Sequence, residues 1–550
     1  MIKNIFLSVI LIFVCSAKLM GQTRENDTSK IYQEVAGDYE YYSDLQYYNF
    51  NLYIENKALL FKESNIKGFN KVIPVDLANL KFNLSDSVKQ RFLYFKRNIN
   101  GEISSCRVIT NESENLANKQ NLNTDTTPIA EKIYSVEALR ADLTQIKDIL
   151  INNHPAIYQF TSEELFGKIF NEQMSKIIRP MNLREYYLIA APIVESVHCG
   201  HTRISLPENF WNYDSQIFFP IILTFIGGKS YVNGFYNSEN LLPVGSEILS
   251  VNNNPMTEII KSTKGLISSD GNNEKYKLEL LKLGFPDLYY FVYGFNDYFD
   301  IEYILPGSKI VNSRTFCAIN RQVLRKYSTT NIKKTSTEDP NLDFELISNK
   351  SLAVLTIRSF LYPSDKEIFF SFIDKAFEEI NKYRIKNLII DLRYNAGGKS
   401  DRTTHLFSYI ESRPIIYFAR TYTGYENSDQ PIPLATKNSY SGKLFVLTNA
   451  ACFSATAQLC SILKFNKIGS LIGEETGATF ECNSAPATFN TKETRMTLFV
   501  AQMTFATAVK GISRENGIMP DYYVEPKIED LLKGKDTVKE FAFKLIEKSH

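Results

Sequence analysis

Four short stretches carry residues able to do chemistry. In KLFVLTNAACFSATAQLCSILKF, residues 443–465, an apolar run breaks into a polar elbow and then resumes at helical spacing. Ser454 sits where the elbow enters the helix. A serine there can cap the helix by accepting a backbone N–H. It can also act as a nucleophile, because the loop and the helix start offer backbone N–H groups to negative charge growing on an attacked carbonyl. The stretch by itself leaves both readings open.

The other three are as brief. DLRYNAGG, residues 391–398, sets two glycines after an apolar strand. Without Cβ atoms, Gly397 and Gly398 let backbone approach a ligand and offer an N–H across a site, while Asp391 and Arg393 brace the loop as a pair. A tight turn is the plainer use. HCGHTR holds two of the chain's five histidines, His198 and His201, around one helix-to-strand turn. Imidazole is the natural proton acceptor near neutral pH, although either histidine could equally be structural. Zinc is disfavoured, since ligands packed as closely as His198, Cys199 and His201 rarely close a tetrahedral shell. SRENGIMPDYYVEP places Glu515 before an Asn-Gly turn. That carboxylate can orient a base or a hydroxyl, or simply face solvent.

The elements that must position these residues are read from periodicity. Residues 22–128 read as a small strand-rich domain of unknown role, with clustered Tyr and Phe, ending in a polar linker. Residues 135–212 read as a helical segment: Leu139, Leu143, Ile146 and Leu150 fall at helical spacing behind Ser135, and the third helix runs into the histidine turn. Residues 213–310 form a compact β module, in which YYFVYGFNDYFDIEYILPG reads as paired strands. Residues 340–530 alternate strand and helix, including LAVLTIRSF, KNLIID, PIIYFAR and KLFVLTNA as strands, which predicts a sheet covered by helices. A closing helix occupies 531–550.

Composition bounds the function. With 62 Lys and Arg against 61 Asp and Glu, the net charge is +1, so no basic surplus points to a nucleic-acid partner. Residues 1–21 have Lys3, an apolar run from Ile5 to Val14 and small residues beyond, the pattern of an export signal cleaved after Ala17 or Gly21. A lipid anchor at Cys15 fits less well behind bulky Val14. No later stretch reaches transmembrane length. The expected destination is the periplasm, the cell surface or the medium. The six cysteines beyond Cys15 have no repeated spacing; they allow a bridge or two, or free buried thiols.

Taken together, these segments resemble the S41 peptidases, the tail-specific or C-terminal-processing proteases, in their tricorn-like Ser/His branch. The family's DLRxNxGG is similar to Asp391–Gly398, which includes Asn395 as a further bracing residue. Its VLTN…S segment is similar to Val446–Asn449 with Ser454 at the nucleophile place. Its glycine–threonine loop resembles Ile472–Gly477, and its enxGxxPDxxV resembles Glu515–Asp521 with Val524 beyond. The GHT of the histidine-using branch is Gly200-His201-Thr202. The resemblance spans residue 135 to the end and leaves residues 22–128 aside.

The resemblance implies a multidomain α/β protein with a crotonase-like α/β catalytic core, and a PDZ-like module at 213–310 able to take a peptide as an added strand. It implies a serine peptidase with no cofactor and no metal, acting on peptides or unfolded proteins. Ser454 is then the nucleophile, His201 the base and Glu515 the orienting carboxylate, with oxyanion donors from Gly397 or Gly398 and Ala455. Two positions depart from the processing branch. Thr479 stands where that branch has a catalytic lysine, which argues against a Ser/Lys pair. Ala457 stands where many relatives carry Glu, though the tricorn-like branch lacks that Glu too. Two rival readings are a catalytically inactive S41-like binding protein and a surface scaffold.

Overall fold

A computed structural model of the chain describes residues 31–548, apart from 44–45, 56–57, 64–69, 77–79, 85–90, 98–102, 110–113, 120–128, 212–215, 238–240, 331–340, 348–350, 364 and 420–437. The export signal, the Cys15 alternative and the last part of the linker lie outside the described residues. The chain divides into two compact units, 1–126 and 127–550.

In the first unit eight antiparallel strands run in sequence order, from Gly37–Ser43 to Glu114–Lys119. They close into a barrel as Tyr39 pairs Lys119, which removes both free sheet edges. Leu52, Leu59, Phe61, Phe82, Leu93, Phe95 and Cys106 meet inside, with Val35 from the helical residues 31–35 packed among them. The last strand comes from the polar stretch ENLANK. Cross-strand pairing with Ile103–Ile109 holds it, not its own propensity.

The second unit begins with three helices, Val136–Asn153, Glu163–Ser175 and Leu183–Glu195. Ser135 and Ser162 cap the first two, and Asn182 with Glu185 forms a reciprocal capping box on the third. The chain then turns through His198–His201 into the strand Arg203–Ser205. That strand pairs antiparallel with Thr497–Val500, Arg203 opposite Phe499. Leu139, Leu143, Ile193, Met496, Leu498 and Val500 share one core, so the helical segment is built together with late sequence.

A second sheet orders its strands as Ile221–Ile226, Lys229–Phe235, Glu247–Val251, Tyr298–Ile304 and Val311–Cys317, all antiparallel. It reaches beyond residue 310 to Cys317. Helix Glu274–Tyr293 packs on it through Leu281, Phe285 and Tyr289. The aromatic run Tyr289–Tyr293, expected as strand, is the end of that helix. It lies in the helical stretch beyond a kink at Gly284, where its β propensity yields to packing of Phe285 and Tyr289 against the sheet.

The third part is a six-stranded sheet in the order Leu342–Ile347, Leu352–Ile357, Asn387–Asp391, Lys443–Thr448, Ser470–Gly473, Tyr522–Tyr523. The first pair is antiparallel and the rest parallel. Alternate side chains face opposite layers. Leu388, Ile390 and Val446 meet the helices Lys366–Lys382, Ser400–Ile410 and Ala455–Phe465. Ile389, Phe445 and Leu447 meet Val538, Ala542 and Ile546 of the closing helix Thr537–Lys548. With both faces covered, central strands are apolar throughout, which is why they read so plainly in the sequence. PIIYFAR differs from expectation: its described residues, 414–419, form no named strand, and Phe418 makes an isolated bridge to Thr507. In this mixed α/β fold the reactive candidates sit beyond the carboxyl ends of the parallel strands, where such sheets bind ligands.

Asp391 closes the strand Asn387–Asp391 and anchors the glycine loop beyond it. Its carboxylate accepts from Arg358 Nη2 at 2.8 Å and from Arg393 Nε at 2.9 Å and Nη2 at 2.8 Å. Arg393 also reaches Asp536 at 2.6 Å, tying the glycine loop to the start of the closing helix. Burial by itself would raise the Asp391 carboxyl. The bonds and charges of Arg393 and Arg358 outweigh it and hold the group well below the usual carboxylate range. Such a depressed pKa stabilises the fold above the unfolded value of about 3.9, and the contribution fades as pH falls below that. Asp391→Asn is therefore expected to cost roughly 3 kcal/mol at pH 7, with the gap from the parent narrowing in melts recorded near pH 3. A constant gap at both pH values would contradict this account.

Candidate active site

Ser454 comes after the strand Lys443–Thr448 and opens the helix Ala455–Phe465, yet it does not cap it: its side chain makes no capping hydrogen bond. Its backbone stands at φ 52° and ψ −125°, a conformation costly for any residue with a Cβ. Strain of this kind persists only where neighbours impose it. Here the Phe453 N–H donates to Asn395 O at 3.1 Å and the Gly477 N–H to Cys452 O at 2.8 Å. Asn395, fully buried, is the hub of the bend. Its Oδ1 accepts from the Gly397 N–H at 2.9 Å and from Thr456 Oγ1 at 2.8 Å, and its Nδ2 donates to Ile357 O at 3.0 Å.

The glycine loop presses against the same bend. A Cβ on Gly397 would lie 2.8 Å from Ser454 Cβ and 3.0 Å from Ala455 N. One expected donor is withdrawn: the Gly397 N–H is already taken by Asn395 Oδ1, so it is not free for an oxyanion. The Gly398 and Ala455 N–H groups have no acceptor among the described residues.

Opposite them, His201 Nε2 lies 3.2 Å from Ser454 Oγ, and the imidazole packs on Phe453 at 4.8 Å between ring centres. Two constraints aim the turn. The positive φ of His198, 53°, reverses the chain, and Gly200 passes so close to Phe453 that a Cβ would meet the ring at 2.6 Å. Burial drives the His201 imidazole down to about 3, and repulsion from Arg203 adds to it. The ring is therefore neutral, with Nε2 able to accept when the proton sits on Nδ1. His198 turns away, its Nδ1 3.9 Å from Glu195. Cys199 Sγ donates to Asn483 O. These three side chains do not converge.

Glu515 does not join Ser454 and His201. Its side chain is exposed and makes no hydrogen bond or ion pair among the described residues, while its backbone carbonyl accepts from the Asn272 N–H at 3.0 Å. The carboxylate that does enter this neighbourhood is Asp270. It is buried, and its Oδ1 accepts from the Gly200 N–H at 2.7 Å. Sequence reasoning passed over it because SSDGNN reads as a polar turn; only burial sets it apart, and no spacing signals that. Both departures have local reasons. Thr479 Oγ1 donates to Ser513 O at 2.7 Å. Ala457 is enclosed by Tyr276, Phe453 and Ala478, which leaves a glutamate no room. All six cysteines beyond Cys15 are free thiols, only Cys317 exposed. No helix among the described residues is long and apolar enough to cross a membrane.

Comparison with known proteins gives a shared fold and one family match. No curated protein sequence matches the chain. Among solved structures, mature CPAF superposes with a TM-score of 0.55 at 12% identity, over 75% of this chain and 96% of that one. Mature CPAF complexed with lactacystin gives 0.56 at 13%, over 75% and 98%. At such identities the likeness establishes a shared fold. Residues 351–524 match the model of peptidase family S41, a span that runs from the second strand of the six-stranded sheet through the glycine loop, Ser454 and Glu515. Over that span the chain is similar to peptidase family S41.

Proposed function

We propose that the protein is an exported serine endopeptidase or processing peptidase that cleaves peptides or unfolded proteins through an acyl-enzyme on Ser454. The observation that carries this reading is a strained serine, free of any capping bond, within 3.2 Å of a neutral imidazole. His201 Nε2 takes the Ser454 hydroxyl proton as Oγ attacks the peptide carbonyl. The Gly398 and Ala455 N–H groups receive the oxyanion. The imidazolium returns the proton to the leaving amine, and water then releases the acyl group by the reverse sequence. The core is read as crotonase-like and the antiparallel module as PDZ-like, holding the substrate as an added strand. The leader at residues 1–21 is read as the export signal.

A fluorophosphonate probe tests the nucleophile directly. Mature protein is expected to gain one adduct, mapped to Ser454 by mass spectrometry, and His201→Ala is expected to label far more slowly. Absence of labelling in folded protein that also fails to cleave casein would favour an inactive binding protein on the same fold.

A further inference from the structure

The base in this site lacks an orienting partner in the place where the sequence suggested one. For Nε2 to accept the Ser454 proton, Nδ1 must carry a hydrogen and so is a donor. His201 Nδ1 is buried and makes no hydrogen bond among the described residues. Asp270 Oδ2 is in the same condition, a buried acceptor without a donor among those residues. Buried polar atoms left unpaired are rare in native proteins and call for a reason. These two are complementary in kind, one donor and one acceptor; His201 belongs to the histidine turn, and Asp270 is bonded to that turn from a separate loop. Asp270 Oδ1 is bonded to the Gly200 N–H, one residue from His201, while the Gly271 N–H donates to His198 O at 3.0 Å.

We propose that Asp270 is the positioning carboxylate of this site: it fixes the His201 turn through the Gly200 N–H and supplies the counter-charge when His201 takes the serine proton. The proposal rests on the pairing of Ser454 with His201 and assigns to Asp270 the part that Glu515 was expected to play. Charge balance supports it. An imidazole driven down to about 3 by burial and Arg203 is too weak a base unless an anion beside it offsets the cost of imidazolium. Asp270 is itself pushed up by burial to about 7, opposed by the Gly200 N–H, so its anion forms in the neutral range. The other groups around the pair are Arg203, Cys199, Tyr276 and Cys482. Burial raises both thiols and the phenol far above neutrality. None of the three titrates alongside Asp270.

Asp270→Asn is the informative variant, because an amide oxygen can still accept the Gly200 N–H and keep the turn. On a dye-labelled unfolded protein, full-length Asp270→Asn is expected to lose kcat by at least about 100-fold with KM little changed. The acid limb of the parent's kcat/KM, centred near 7 as Asp270 protonates, is expected to vanish. A variant with parental kcat and the same acid limb overturns the proposal, as does one that loses activity only in step with a lowered melting temperature. Ser454→Ala, assayed alongside, separates the two levels. If it remains active, the nucleophile assignment falls; if it is dead while Asp270→Asn is fully active, only the role of Asp270 falls.

Discussion

Ser454→Ala is expected to lower turnover of an unfolded protein by at least about 10⁴-fold, with the melting temperature close to the parent's. The two halves of this result have separate causes. The hydroxyl makes no capping bond, so its removal takes no hydrogen bond from the helix Ala455–Phe465. The strained backbone, φ 52°, is imposed by Asn395 and the glycine loop and is the same for alanine. The change removes the hydroxyl that His201 Nε2 faces and that would form the acyl intermediate. Residues that act as one unit lose activity non-additively. His201→Ala should therefore be severely impaired alone, and the double variant no worse than Ser454→Ala. Two losses that multiply would mean that the serine and histidine work independently, and the shared mechanism would fail.

How much of this was legible in the chain depends on how local the determining physics is. The strand Asn387–Asp391 declares itself because both faces are buried, and the glycines after it because φ values of 97° and 138° at Gly397 and Gly398 are strained for any residue with a Cβ. Ser454 and His201 are conspicuous by type and by their places at element ends. Their approach to 3.2 Å is not, since it depends on Arg203–Ser205 pairing with Thr497–Val500 far along the chain. Glu515 shows the converse. Its motif drew attention, but the structure uses its backbone and leaves its side chain in solvent. Asp270 had no motif and owes its standing to burial against Gly200, a property of the fold alone. Barrel closure at Tyr39–Lys119 was hidden for the same reason: a ladder between distant strands leaves little trace in either strand.

Gly397→Ala and Gly398→Ala should fail differently, and the difference locates the oxyanion site. At Gly398, φ is 138°, and a Cβ would sit 2.2 Å from Phe360 C and 2.3 Å from Leu361 N. Those are backbone atoms of the segment bridged to the loop, so nothing flexible can yield. A destabilisation of roughly 3 kcal/mol or more is expected from strain and overlap together, read as a lower denaturation midpoint. At Gly397 the added carbon would instead press on Phe453 O and Ser454 Cβ, each at 2.8 Å, and on Ala455 N at 3.0 Å. The bend that holds the nucleophile and one oxyanion donor would move, while the sheet beneath it would stay. Gly397→Ala is thus expected to remain folded and to lose about 10²–10³-fold in kcat, with substrate still bound by the rest of the site. Parental kcat in a folded Gly397→Ala protein would show that the geometry around Ser454 and Ala455 is not what catalysis uses. The carbonyl would then have to be polarised from elsewhere in the molecule.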